Sequence, residues 1–310
     1  RQILFALTAT TLGLLLALGG AELAARQLTA PRVQQVPLAG TARLIDGVPV
    51  WRAPTGAAER ENRACEGEAV LLFGSSIFFG SSLPPEDTLG PPIQAALPGT
   101  CVENHAQPGF TFANEHAIAR ERLAEPGARP PAVVVWEIWQ NSINTLDVIG
   151  DSAYNFGELA VDAGGVPSVL ALSPPANRAL FARSAVFRQL TLRAASLRPP
   201  TQLMPRWEAF AAGPLTDAIA EAEAAGATVI LALLPALDRP FSESASAGYV
   251  GYEPVRRLAV SAGLPLVDVA EQLAGQPVEA LRLDTCCHYN ADGQKALAEV
   301  LAPFIGSALR

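Results

Sequence analysis

The chain has 310 residues, half of them apolar, with a formal net charge of −8 and a pI near 5.0. That acidity excludes the basic face on which a nucleic-acid partner would dock, while the length and apolar content suffice for a full α/β core. The three histidines lie far apart and the four cysteines show no CxxC spacing, which excludes a clustered zinc or His-rich metal centre, and no cofactor motif is present.

Taken in chain order, the first element is an uncharged apolar stretch from Gln2 to Ala21. A helix of that length spans roughly 30 Å, the hydrocarbon thickness of a bilayer, so residues 1–21 are expected to form a transmembrane anchor. A cleaved signal peptide is the alternative, with small residues around Ala17 to Ala21 as the cleavage region. Arg1 precedes the stretch and Arg26 and Arg32 follow it, so flanking charge does not orient it. Under either reading the remainder is extracytoplasmic, periplasmic or at the cell surface, where disulfides form. Residues 22–66 read as a juxtamembrane stalk, in which Asp46-Gly47 between short apolar runs signals a β-hairpin.

From residue 67 to 310 the pattern changes. Apolar strand candidates at 69–73, 100–106, 132–138, 227–234 and 264–269 alternate with helical stretches at 87–97, 113–125, 207–225, 252–262 and 291–308. Near-continuous apolar strands between helices predict a parallel five-stranded sheet covered on both faces: a doubly wound, flavodoxin-like three-layer α/β/α sandwich. Such sheets bind ligands at the carboxyl ends of their strands. Residues 147–206 interrupt the rhythm. They carry Arg178, Arg183, Arg188, Arg193, Arg198 and Arg206, with no acid between Asp162 and Glu208. A solvated helical insertion accounts for this; a lid or collar facing anionic lipid headgroups or an anionic polymer is the sharper alternative.

The first strand runs into Gly74-Ser75-Ser76-Ile77-Phe78-Phe79-Gly80, a strand-to-helix turn that exposes a hydroxyl beside unpaired backbone N–H groups. Those are the requirements of a nucleophilic serine. After the second strand comes Asn104-His105-Ala106-Gln107-Pro108-Gly109, after the third Trp139-Gln140-Asn141-Ser142, and near the C-terminus Asp284-Thr285-Cys286-Cys287-His288. The topology carries all four to one sheet edge. Gly150-Asp151-Ser152 has no convincing strand before it and reads as a loop. His116, beside Glu115, reads as a surface residue; His105 reads as a structural hydrogen-bonding residue, with substrate contact as the alternative. Asp268 reads as a helix cap. Cys65 and Cys101 fall at one end of the sheet and suit a disulfide, whereas Cys286 and Cys287 are left open between a vicinal bond, free thiols and other pairing.

In this order the serine, glycine, asparagine and histidine segments resemble the blocks of the SGNH, or GDSL-like, hydrolases over residues 67–308. Ser76 matches the nucleophile and first oxyanion donor, Gly109 the second donor, Asn141 the third, and His288 the base. An apolar anchor ahead of such a domain is similar to bacterial envelope members of that superfamily. Three positions depart from the pattern: Ser75 stands where the family has aspartate, Ser142 follows Asn141 where the family has another aspartate, and Thr285 stands three residues before the histidine, where the family again has aspartate. Asp284 is the nearest carboxylate and is expected to orient His288, the alternative being a Ser–His dyad. The resemblance implies a serine esterase or acyl hydrolase without metal or cofactor, acting on a small-molecule, glycan or lipid ester such as O-acyl groups of envelope material. An O-acetyltransferase for cell-surface polysaccharide and a non-catalytic binding module on the same fold are the alternatives.

Overall fold

The computed structural model describes residues 10–11, 13, 16–24, 43–46, 48–50, 52–53, 56–62, 64–139, 142, 184, 186, 203–243, 252–284 and 287–310. Asn141, Thr285, Cys286, the Gly150-Asp151-Ser152 tripeptide and nearly all of the 147–206 insertion lie outside them. The chain divides into two compact units, one of residues 1–36 with 146–198 and one of 37–145 with 199–310. Within the first, Glu22 Oε2 accepts bonds from Ser184 Oγ at 2.8 Å and from the Val186 N–H at 3.1 Å. No helix among the described residues is long and apolar enough to cross a membrane.

The second unit begins with the short antiparallel pair β1 (Arg43–Ile45) and β2 (Val48–Val50), which turns through Asp46 in the left-handed region at φ 50°. Asp tolerates that conformation in tight turns, in keeping with the Asp-Gly signal. Five parallel strands follow: β3 (Glu68–Phe73), β4 (Thr100–Asn104), β5 (Pro131–Ile138), β6 (Thr228–Leu233) and β7 (Leu266–Asp268). They lie in the order β4-β3-β5-β6-β7, the doubly wound arrangement the alternation predicted. Along β3 and β5 successive residues feed opposite faces. Val70, Leu72, Val133 and Val135 pack with Leu297, Leu301 and Ile305 of the last helix (Ala291–Ala308). Leu71, Phe73, Val134 and Trp136 pack with Trp207, Phe210 and Leu215 on the other side. This period of two, apolar on both faces, is what a sheet buried between two helical layers requires.

Two elements differ from expectation. β4 ends at Asn104 rather than 106, where β3 itself ends, although two bonds carry the same parallel register on into the following turns: His105 N–H to Leu72 O and Gln107 N–H to Gly74 O. The helix expected at 207–225 contains a wide π turn at Ala211–Leu215 around Pro214, whose missing N–H cannot continue the regular ladder.

Cys65, ahead of β3, is bonded to Cys101 on β4, with Cα atoms 5.6 Å apart. The closed loop holds α-helix Gly90–Ala96, and the bond spans a sequence separation of 36. Replacing both cysteines with serine is expected to remove about 2–4 kcal/mol of stability by freeing that loop in the unfolded chain. Thermal melts of the double variant and of the oxidised parent give the test; equal midpoints refute it.

Candidate active site

A four-residue helix, Ser76–Phe79, starts three residues after the end of β3. Gly74 permits the turn, since a Cβ there would stand 2.5 Å from Glu137 Oε2. Gly80 at φ 68° closes it in a left-handed cap. Local backbone bonds take the Ser75, Ser76 and Ile77 carbonyls, and side chains from three distant segments bond the last three carbonyls of the helix. Gln294 Nε2 donates to Ile77 O at 2.8 Å, Asn104 Nδ2 to Phe78 O at 2.7 Å, and Arg60 Nε to Phe79 O at 2.8 Å. Arg60 also donates to Gly56 O and Leu83 O, and its guanidinium lies 4.1 Å over the Phe79 ring. Burial lowers its pKa, partly offset by Glu59 and Glu86, and its charge sits at the helix end that favours a cation.

The other end of the helix meets Glu137, the penultimate residue of β5 and fully buried. Its Oε2 accepts the N–H of Ser75 at 3.1 Å and of Phe78 at 2.9 Å, and its Oε1 is bonded to Ser75 Oγ. Burial drives this carboxyl up to about 7, against the lowering effect of the three bonds it receives. Glu115 lies nearby, equally buried, and is pushed well above the carboxylate range by desolvation and by the charge of Glu137.

Ser76 is half-buried at the mouth of this arrangement, and its Oγ lies 2.8 Å from His288 Nε2 across 212 residues of sequence. His288 Nδ1 stands 2.5 Å from Asp284 Oδ2. The displaced position of Asp284 is absorbed by a compact turn: its Oδ1 accepts the N–H groups of Cys287 at 3.0 Å and His288 at 3.2 Å, while Leu283 N–H bonds His288 O at 2.7 Å. Partial burial raises the Asp284 pKa, but the imidazole and the two N–H donors outweigh it and bring it down to about 2. An ionised Asp284 draws the ring proton to Nδ1, which leaves Nε2 as the acceptor for the Ser76 hydroxyl. The segment ends in the Arg282–Tyr289 bridge, and Asn290 then caps the last helix by accepting the Gly293 N–H.

Gly109, at φ 79°, adopts a backbone that side chains rarely take. Among the described residues the N–H groups of Ser76 and Gly109 donate to no carbonyl, so both are available to a ligand oxygen. Asn141 falls outside the described residues; its neighbour Ser142 accepts the Trp139 N–H at 2.9 Å. His105 is buried, stacked on Phe73, and bonds Glu103 at 3.2 Å. His116 is half-buried rather than a free surface residue: it bonds Glu221 at 2.9 Å and meets Trp136 edge-on. Asp268 caps its helix by accepting the Glu271 N–H. Asp284, Cys287 and His288 have ligand atoms within 4.8 Å of one another, but Cys287 is disulfide-bonded and the other two bond each other, so this trio does not suit a metal ion. Arg60, Glu137 and Gln294 had no place in the sequence-based site. A lone acid inside the apolar run of β5 was the one available signal.

No family model and no curated relative matches the chain. Solved structures do. A lipolytic protein of the G-D-S-L family from Veillonella parvula aligns over 77% of this chain and 99% of its own, at 13% identity and a TM-score of 0.49. A lipase/acylhydrolase from Enterococcus faecalis aligns over 78% and 97%, at 16% identity and 0.45. An acetyl xylan esterase aligns over 76% and 99%, at 14% identity and 0.46. At such identities and scores the likeness assigns neither chemistry nor substrate to this chain.

Proposed function

We propose that this chain is a serine hydrolase of carboxylic esters. The observation that carries the reading is the continuous hydrogen-bonded path from Ser76 through His288 to Asp284, with links of 2.8 Å and 2.5 Å. His288 Nε2 takes the hydroxyl proton as Ser76 Oγ attacks the ester carbonyl. The resulting imidazolium is held by the ionised Asp284. The oxyanion is received by the N–H groups of Ser76 and Gly109, and Asn141 contributes a third donor. His288 then protonates the leaving alcohol, and water resolves the acyl-serine by the same steps in reverse.

The test is covalent labelling by a fluorophosphonate together with hydrolysis of a short aryl ester. The parent is expected to do both and Ser76→Ala neither; labelling that survives the substitution refutes the assignment. Asp284→Asn keeps the turn but no longer imposes the ring tautomer, and kcat is expected to fall by about 10⁴-fold. A loss below about tenfold would show that Asp284 does not orient the base.

We further infer an extracytoplasmic setting for the hydrolase domain. The Cys65–Cys101 disulfide and the uncharged stretch from Gln2 to Ala21, as an anchor or export signal, support it.

A further inference from the structure

We propose that Glu137 is a positioning residue for the nucleophile: from the neighbouring strand it supplies the carboxylate cap that the Ser76–Phe79 helix does not receive from its own N-cap residue. The inference rests on the function proposed above and concerns how Ser76 is held, not whether it reacts.

A helix N-terminus is ordinarily capped by the side chain of the N-cap residue, which accepts the second or third N–H of the helix. Here the N-cap is Ser75, whose Oγ reaches only the Ile77 N–H, at 3.5 Å. The third N–H, that of Phe78, goes to Glu137 Oε2 at 2.9 Å, and the same oxygen accepts the Ser75 N–H. Ser75 Oγ is itself tied to Glu137 Oε1. The carboxyl therefore brackets Ser76: it grips the backbone one residue before and two residues after, and leaves the Ser76 N–H alone. That leaves the N–H free for an oxyanion. A cap at position 75 and a cap from β5 perform the same task, but the latter fixes the turn to the central strand of the sheet.

The arrangement has a cost that argues for a role. Glu137 and Glu115 are both about 1–2% exposed, and Tyr289, also fully buried, feels the charge of Glu137. Glu115, on the helix Phe112–Leu123, and Tyr289, in the loop before the last helix, are buried as well, and neither Glu115 Oε2 nor the Tyr289 hydroxyl has a hydrogen-bond partner among the described residues. A buried acid in such company is destabilising unless its bonds are made.

The test is a set of four variants assayed by ester hydrolysis beside the parent. Glu137→Ala removes the acceptor of two backbone N–H groups; kcat is expected to fall about 100-fold with KM within about threefold, because the nucleophile shifts while the substrate pocket does not. Glu137→Gln retains an oxygen for both N–H groups and is expected to lose less than about tenfold. Ser75→Asp in the parent sets two carboxyls in contact and lowers kcat. The same substitution in the Glu137→Ala background places an acceptor at the N-cap and is expected to recover at least about tenfold. Should Glu137→Ala fail to melt cooperatively, Ser75→Asp is compared in the parent and in the Glu137→Gln background, and its cost is expected to be at least about tenfold smaller beside the amide. The proposal is overturned if folded Glu137→Ala keeps kcat within twofold of the parent, or if Ser75→Asp changes kcat by the same factor in both backgrounds. A parent that neither hydrolyses nor labels would instead overturn the hydrolase reading.

Discussion

His288→Ala is expected to lower kcat for a short aryl ester by on the order of a millionfold, with little change in KM or in thermal midpoint. The expectation follows from geometry. At 2.8 Å from Ser76 Oγ, the imidazole is the one described side chain bonded to the hydroxyl, and without it the proton has no acceptor. The fold should tolerate the loss, because the turn around position 288 is held by bonds that do not use the imidazole: Leu283 N–H to the carbonyl of residue 288, and the N–H of that residue to Asp284 Oδ1. Adding Ser76→Ala to the His288→Ala variant should cost almost nothing more, since groups that act as one unit are strongly non-additive. Steady-state rates of the two single variants and the double variant give the measurement. A His288→Ala protein that keeps more than about 1% of parental kcat would rule out this base.

Arg122→Met carries the largest expected effect on stability, about 3–5 kcal/mol at neutral pH. Glu103 on β4 and Arg122 on the helix behind it are both about 3–4% exposed and form a two-pronged pair at 2.8 and 2.9 Å, with His105 as a third partner at 3.2 Å. Burial raises the Glu103 pKa, but the bonds from His105 and Arg122 prevail and bring it down to about 2. The methionine fills similar volume and removes both guanidinium bonds, leaving the buried carboxylate only the contact with His105 among those described. The sign of the pH dependence follows. In the parent the folded value lies below the unfolded one, so the contribution of Glu103 is present above about pH 4.5 and is lost as the pH falls toward 2. In the variant the stranded acid prefers to be neutral, so protonation relieves it. The two proteins should therefore differ most at about pH 7 and by less at about pH 4, with the rest of the gap closing as the pH falls toward 2. Parallel melting curves at both pH values would refute the account.

How much of this was legible beforehand depends on the length scale of each cause. The sheet could be read because β3, β5 and β6 are apolar on both faces, a local pattern with one common outcome. Ser76 and His288 could be proposed because the order of the four motif segments, with turn chemistry and histidine scarcity, narrows the choice. Asp284 was harder: it sits one residue out of the expected register, and only a turn in which its own carboxylate takes two main-chain N–H groups brings it to the ring. Arg60 and Glu137 left almost no trace. One lies in a segment that read as a stalk and the other in a strand that read as core, and their partners are carbonyl and N–H groups, which look alike in every residue. Bonds from a side chain to remote backbone have no sequence signature on the partner's side.

Asp284 and His288 lie four residues apart ahead of the last helix, whereas Ser76 opens the short helix that follows β3. The orientation of the ring is consequently inherited from its own stretch of chain and travels with it. A relay assembled this way has a single adjustable joint, the gap between Oγ and Nε2. A change in the gap between Ser76 Oγ and His288 Nε2 would therefore alter proton transfer while the Asp284–His288 bond stays made.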